Sequence, residues 1–228
     1  MKLRRIWTSL VITGGTAALA TSCGSQEPEE APDVMADATQ TAPVSAPTFS
    51  YDATWPKPLP NNWALGDVWG VAVDSQDNPW IAHANSERIQ ALLEEEGNEL
   101  APPIIQFDAE GNVLQAWGGP GEGYDWMEDT FAAEHGMFID HEDNVWITGN
   151  GERTTPMRRG DDMVIKFTNQ GQFVMQIGRR SQSQGNADTR NLRRPADLFV
   201  VPETNEVFVA DGYGNRRVIA FDAGTGAF

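Results

Sequence analysis

The stretch GMFIDHEDNVWIT, residues 136–148, reads as strand, polar turn, strand. Apolar, β-branched and aromatic residues fill both runs, and HEDN between them supplies the Asp and Asn that tight turns favour. The same reading fits GVAVDSQDNPWIA (70–82) and DLFVVPETNEVFVA (197–210), the third with one extra turn residue. After a gap of variable length each is followed by a second pair: IIQFDAEGNVLQAWG (104–118), VIKFTNQGQFVMQIG (164–178) and VIAFDAGTGAF (218–228). Phe107, Phe167 and Phe221 hold equivalent places, 60 and 54 residues apart. The unit is therefore a meander of four short antiparallel strands, and a meander repeated at this period is a β-propeller blade. The chain is expected to be all-β, with blades at about 64–118, 130–178 and 192–228. Three blades do not close a ring, so the sequence is expected to be a piece of a longer one, half of a six-bladed ring. A short open array completed by self-association is the alternative.

The chain has 228 residues, 40% hydrophobic and 21% charged, which suits one globular domain with a core. A net charge of −17 repels phosphate backbones and anionic headgroups. Nucleic acid is excluded as a partner on that ground, and cationic ligands or metal ions are favoured.

Residues 1–23 read as a targeting segment: MKLRR is the positive start, IWTSLVITGGTAALA the apolar stretch, and Cys23, the one cysteine, ends it. Small residues before a lone cysteine fit a bacterial lipobox, with Ala20 where leucine is usual. Lipidation at Cys23 would tether the domain outside the cytoplasm, as a periplasmic or cell-surface lipoprotein that touches the membrane only through this anchor. An ordinary secretory signal or a short anchor is the alternative. Residues 24–54, rich in Ala, Pro, Thr and acids, are expected to be a disordered acidic linker, leaving 55–228 for the propeller.

The repeats resemble NHL-type six-bladed propellers. HGMFIDHEDNVWIT with RPADLFVVPETNEVFVADGYGNRRVIAFD is similar to the peptidyl-α-hydroxyglycine α-amidating lyase propeller and its bacterial relatives, across roughly residues 60–228.

Strand parity sorts the loops. The short turns DSQDN, HEDN, DAEGN and TNQGQ fall on one face of the ring, and the long loops fall on the other with the residue that opens each innermost strand. Those openers are Trp69, His135 and Ala196. Long loops on a rigid scaffold are where sites are built. His135 thus projects into the channel mouth, where a neutral imidazole can bind a metal or be held by hydrogen bonds alone. The resemblance implies that His135 is one of three zinc ligands. It also implies a functional tyrosine in the DGY context, here Tyr213, as a proton donor or acceptor. Arg216 and Arg217 follow it: one is expected to pair with Asp211 and fix the loop, the other to face a ligand. A purely structural Tyr and Arg pair is the alternative. His83 and Trp126, in long-loop segments, complete the ligand-binding candidates.

Where the lyases carry a proposed catalytic arginine after a first-blade histidine, this chain has Ala84 after His83. Gly214 stands where the animal enzymes have a cysteine. Asp74, Asp77, Asp140 and Asp143 read as solvated turn carboxylates bonding backbone amides; a calcium site made from them is the alternative. SERIQALLEEEG is expected to form a short helix stopped by Gly97. Two functions follow. One is a zinc-dependent lyase-like enzyme acting on a small or peptide-derived ligand at the channel mouth. The other is a non-catalytic propeller that binds a ligand or a protein there.

Overall fold

Asp74 and Asp140 show why the repeat folds as it does. Each ends the first strand of a blade and accepts backbone N–H bonds from the residues two and four places on, at 2.9 and 3.0 Å for Asp74 and 3.0 and 2.9 Å for Asp140. Each then accepts the indole N–H of the tryptophan six places on, Trp80 at 2.9 Å and Trp146 at 2.8 Å. The residue at the third turn position has positive φ: Asp77 and Asp143 here, Gly111 and Gly171 in the second pair of each blade. That left-handed position is open to glycine and tolerated by Asp and Asn, which is what the sequence places there. Of the four carboxylates expected to be solvated, Asp77 is exposed and Asp74 and Asp143 are half-buried, but Asp140 is buried. A side chain from the third strand reaches the same oxygen, Lys166 Nζ at 3.4 Å on Asp140 and Gln106 Nε2 at 2.7 Å on Asp74.

The computed structural model describes residues 46–84, 87–127, 134–151 and 161–228. The expected signal segment, Cys23 and most of the linker lie outside them, as does much of the long loop of blade 2. Ser50–Phe228 is one compact unit. A two-residue strand β1 (Trp63–Ala64) precedes the first blade, which contains β2 (Val68–Val73), β3 (Pro79–His83), β5 (Ile104–Phe107) and β6 (Val113–Trp117), antiparallel in that order. Between β3 and β5 run the helix α1 (Glu87–Glu95) and the short β4 (Glu99–Leu100), which pairs in parallel with β1. The second blade is β7 (Glu134–Ile139), β8 (Val145–Gly149), β9 (Met163–Phe167) and β10 (Phe173–Ile177). The third, as far as it is described, is β11 (Asp197–Val201), β12 (Glu206–Asp211) and β13 (Arg217–Asp222).

The expected helix is present and ends where glycine allows: Gly97 has φ +79°, and its N–H and that of Asn98 donate to the carbonyls of Glu94 and Leu93. The β1–β4 pair was not legible in the repeat pattern.

The core lies between blades, where sheets stack face to face. Trp80, Ile104, Met137, Val145, Ile147, Ile165 and Phe167 fill the space between blades 1 and 2. Trp146, Val164, Ile177, Leu198, Val200, Val207, Val209, Ile219 and Phe221 fill that between blades 2 and 3. Strands β8 and β9 are consequently buried on both faces. The outer face of blade 1 is covered by Trp55, Leu59, Trp63 and Leu65 over Ile81, Ile105 and Phe107.

Innermost strands approach closely, and glycine makes that possible. A Cβ on Gly70 would stand 2.6 Å from Cβ of Met137, and one on Gly136 would stand 2.7 Å from the Ala196 carbonyl oxygen. On the turn face, Ser75 donates from N–H and hydroxyl to Asp143 at 2.9 and 2.6 Å, tying blade 1 to blade 2. The result is an all-β, partial propeller of antiparallel blades.

Candidate functional site

The three strand-opening residues touch one another in chain order. Trp69 stacks on His135 with ring centroids 5.8 Å apart and planes at 20°. His135 Nδ1 lies 2.7 Å from the carbonyl oxygen of Ala196. A carbonyl oxygen only accepts, so Nδ1 carries the proton and Nε2 keeps its lone pair. Tyr213 Oη is 3.2 Å from that Nε2 and therefore donates to it. Thr148 Oγ1 accepts the Gly136 N–H at 2.7 Å and donates to the Ala196 oxygen at 3.2 Å, so the acceptor of the imidazole proton is itself fixed.

Tyr213 is held by the segment before β11. Its N–H donates to the Arg194 carbonyl at 3.3 Å, and the Gly214 N–H donates to that of Arg193 at 3.0 Å. A Cβ at Gly214 would meet the Arg193 carbonyl oxygen at 2.7 Å, so this position is suited to glycine. Two buried carboxylates pin the segment from below. Asp162 accepts the Arg194 N–H at 3.0 Å and the Ser181 N–H at 3.1 Å. Asp211 accepts the Arg193 N–H at 2.8 Å. Burial pushes the Asp162 carboxyl above its usual range, with Asp211 nearby adding to the effect and its N–H donors and Arg193 opposing it. So anchored, Arg194 adopts φ +57° and sets its guanidinium over the Tyr213 ring, 5.5 Å from the centroid, while its Nε donates to the Asn150 carbonyl at 3.0 Å.

Arg217 is the loop-fixing arginine. Its Nε donates to Asp211 at 2.8 Å, and its two terminal nitrogens donate to the carbonyls of Asn186, Asp188 and Asn191. Arg216 is exposed, and its backbone N–H donates to Asn186 Oδ1 at 2.8 Å.

Two expectations are corrected. His83 is 0% exposed: the Gly66 N–H donates to its Nδ1 at 3.1 Å, and its Nε2 donates to the Pro102 carbonyl at 2.9 Å. Both nitrogens are committed to backbone, and burial holds its pKa below the ordinary value of 6.5. Trp126 is 6% exposed and packs on Phe167 and Tyr124 between blades 1 and 2, so its crossing loop turns the indole inward. Ala84 is buried as well, and puts no side chain at the rim. His141 is exposed in its turn. Among the described residues no three His, Cys, Asp or Glu side chains gather in metal-holding geometry.

The rim thus unites His135 and Tyr213 and leaves His83 and Trp126 in the core. It adds Trp69, Thr148 and Arg194, which the motifs did not single out as site residues. The signal for Trp69 was its place as an opener, and that for Arg194 its place two residues before another.

No family model matches the chain. It is 28% identical over 178 residues to peptidyl-α-hydroxyglycine α-amidating lyase 1 of Drosophila melanogaster, covering 76% of this chain and 30% of that protein. It is 26% identical over 176 residues to human NHL repeat-containing protein 3, covering 75% of this chain and 42% of that protein. The chain therefore spans less than half the length of these curated relatives. Among solved structures, the gluconolactonase XC5397 of Xanthomonas campestris is 16% identical, with a TM-score of 0.44 over 70% of this chain and 46% of that one. The chain is thus similar to amidating lyases and to an NHL repeat-containing protein, and its own sheets form a partial β-propeller of four-stranded antiparallel blades.

Proposed function

We propose that the chain is part of an exported, lyase-like propeller whose ligand and zinc ion sit where His135 and Tyr213 meet. The observation that carries this reading is the His135 tautomer. A backbone carbonyl accepts the hydrogen bond of Nδ1–H, so the Nε2 lone pair faces the rim, as in ligating imidazoles oriented by a carbonyl; it accepts the Tyr213 hydroxyl here, and metal binding would require the phenol to release it. His135 would hold the metal; the further ligands that a three-ligand centre needs would come from outside the described residues. When bound, zinc supplies Lewis acidity to a substrate oxygen.

The chain's own residues handle the proton. Cleaving a carbinolamide breaks its C–N bond, turns the hydroxyl into a carbonyl and gives the departing amide nitrogen a proton. Tyr213 Oη, on an exposed side chain within hydrogen-bond reach of the imidazole, is the group to take or return it. Arg194 places a positive charge beside the phenol ring, at the rim that lacks the arginine replaced by Ala84. The MKLRR start and Cys23 support export and lipid anchoring.

A second reading, a ligand- or protein-binding propeller without catalysis, is favoured by the buried Ala84. Elemental analysis of the untagged full-length protein and an assay for its conversion of a peptidyl-α-hydroxyglycine to the amide separate the two. The lyase reading expects one zinc per chain, lost in His135→Ala, together with turnover. Zinc without turnover supports the second reading, and protein that takes up no zinc removes the metal.

A further inference from the structure

Trp69 is the rim residue that the proton and metal chemistry leaves unused. It is 44% exposed, on an innermost strand that also exposes Val71 and Val73, so its indole is open to a ligand at the rim. One face rests on His135, which meets Tyr213 edge-on at 5.3 Å and 74°, and Arg194 lies over Tyr213. Indole, imidazole, phenol and guanidinium therefore stand in a row across the openings of three blades. Trp69 also walls a cavity of about 260 Å³ with Val71, His135, Met137 and Asp197. Gly70 and Gly136 line it too, at points where the inner strands press together too closely for a side chain. A cavity of roughly 150 Å³ suffices for benzene, so this one has room for an aromatic ring and an adjoining amide.

We infer that Trp69 is the specificity-determining residue of the rim, seating an apolar, preferentially aromatic, side chain of a small amide ligand beside His135. Stacking on a half-exposed indole favours a flat apolar group. The Asp197 carboxylate in the same wall disfavours an anionic one. The inference rests on the rim being the ligand site and deepens that reading by naming the class of side chain.

The test is an NMR titration of the chain with N-acetyl-phenylalanine amide and N-acetyl-alanine amide, following the Trp69 indole N–H and the His135 ring. The phenylalanine amide is expected to bind about tenfold more tightly, a gap of about 1.4 kcal/mol. Trp69→Ala should abolish the gap, and Trp69→Phe should retain most of it. Equal affinities in the unmodified chain, or a gap that survives in Trp69→Ala, overturn the inference. Zinc uptake and turnover are read separately. Equal affinities alongside bound zinc sink the aromatic seat alone, and absent zinc with a Trp69-dependent gap sinks the lyase reading alone.

Discussion

Tyr213 and His135, 78 positions apart in the chain, meet at 3.2 Å across the junction of blades 2 and 3. The contact follows from parity, since the first strand of blade 2 and the loop after the second strand of blade 3 share one end of the sheets. The Tyr213 side chain is 54% exposed, so losing its hydroxyl leaves packing intact. Tyr213→Phe is expected to change thermal stability by less than about 0.5 kcal/mol. In the lyase assay it should lower kcat by roughly 10²–10⁴-fold. An unchanged kcat removes Tyr213 from proton transfer.

Gly136 and Gly212 flank the two site residues and should respond oppositely to alanine. A Cβ on Gly136 would lie 2.7 Å from the Ala196 carbonyl oxygen and 2.9 Å from Cα of Asp197, both backbone atoms of the next blade. Gly136→Ala is expected to cost about 1–3 kcal/mol. At Gly212 nothing lies within 4 Å of the added carbon, so Gly212→Ala should be neutral or stabilise by up to about 1 kcal/mol. Urea midpoints of both variants check the pair, and equal losses would contradict the close approach of blades 2 and 3.

Asp140 carries the turn, the indole of Trp146 and the Lys166 ion pair at once. Burial alone would raise its pKa, but the Trp146 indole, the backbone amides and Lys166 together hold it below the ordinary carboxylate value of 3.8. The stability it contributes is therefore present above pH 3.8 and lost as the pH falls through its folded value. Removing the carboxylate leaves the buried Lys166 ammonium without a counter-charge, although it still donates to the Ala223 carbonyl, so Asp140→Ala is expected to cost about 3–5 kcal/mol. Chemical denaturation at neutral pH measures it, and a loss below about 1 kcal/mol would show that Lys166 has been satisfied elsewhere.

His83 should make stability depend on pH near neutrality. Burial depresses its folded pKa, so below the ordinary value of 6.5 the unfolded chain binds a proton that the folded chain refuses. Its contribution is present above pH 6.5 and is lost as the pH falls toward the folded value. Urea midpoints taken between pH 7.5 and 5.5 should decline, and His83→Gln should show a shallower decline. Identical slopes would rule out a neutral, buried His83.

The repeats were legible because each blade spells its own strands and turns, so period and parity carried His135 and Tyr213 to the same rim. The pairing of one loop arginine with Asp211 was legible too, as a choice between Arg216 and Arg217 that Arg217 resolves. Burial within long-loop segments was not. His83 ends a strand and Trp126 sits in a crossing, and both look available until the neighbouring elements close over them. Arg194 was hidden for another reason: its position depends on Asp162 from blade 2 and on a left-handed backbone, neither visible in a local motif. The β1–β4 pair joins two-residue segments 36 positions apart, too short to leave a period in the sequence.

The tautomer of His135 decides whether the rim offers a nitrogen lone pair to a ligand. Long-range proton–nitrogen correlation NMR on the folded chain at neutral pH distinguishes a protonated ring nitrogen from one that keeps its lone pair. The proton is expected on Nδ1, with Nε2 unprotonated and its resonance shifting in Tyr213→Phe as the phenol hydrogen bond is lost. A proton found on Nε2 would contradict that assignment, because the imidazole would then have no lone pair to offer at the rim.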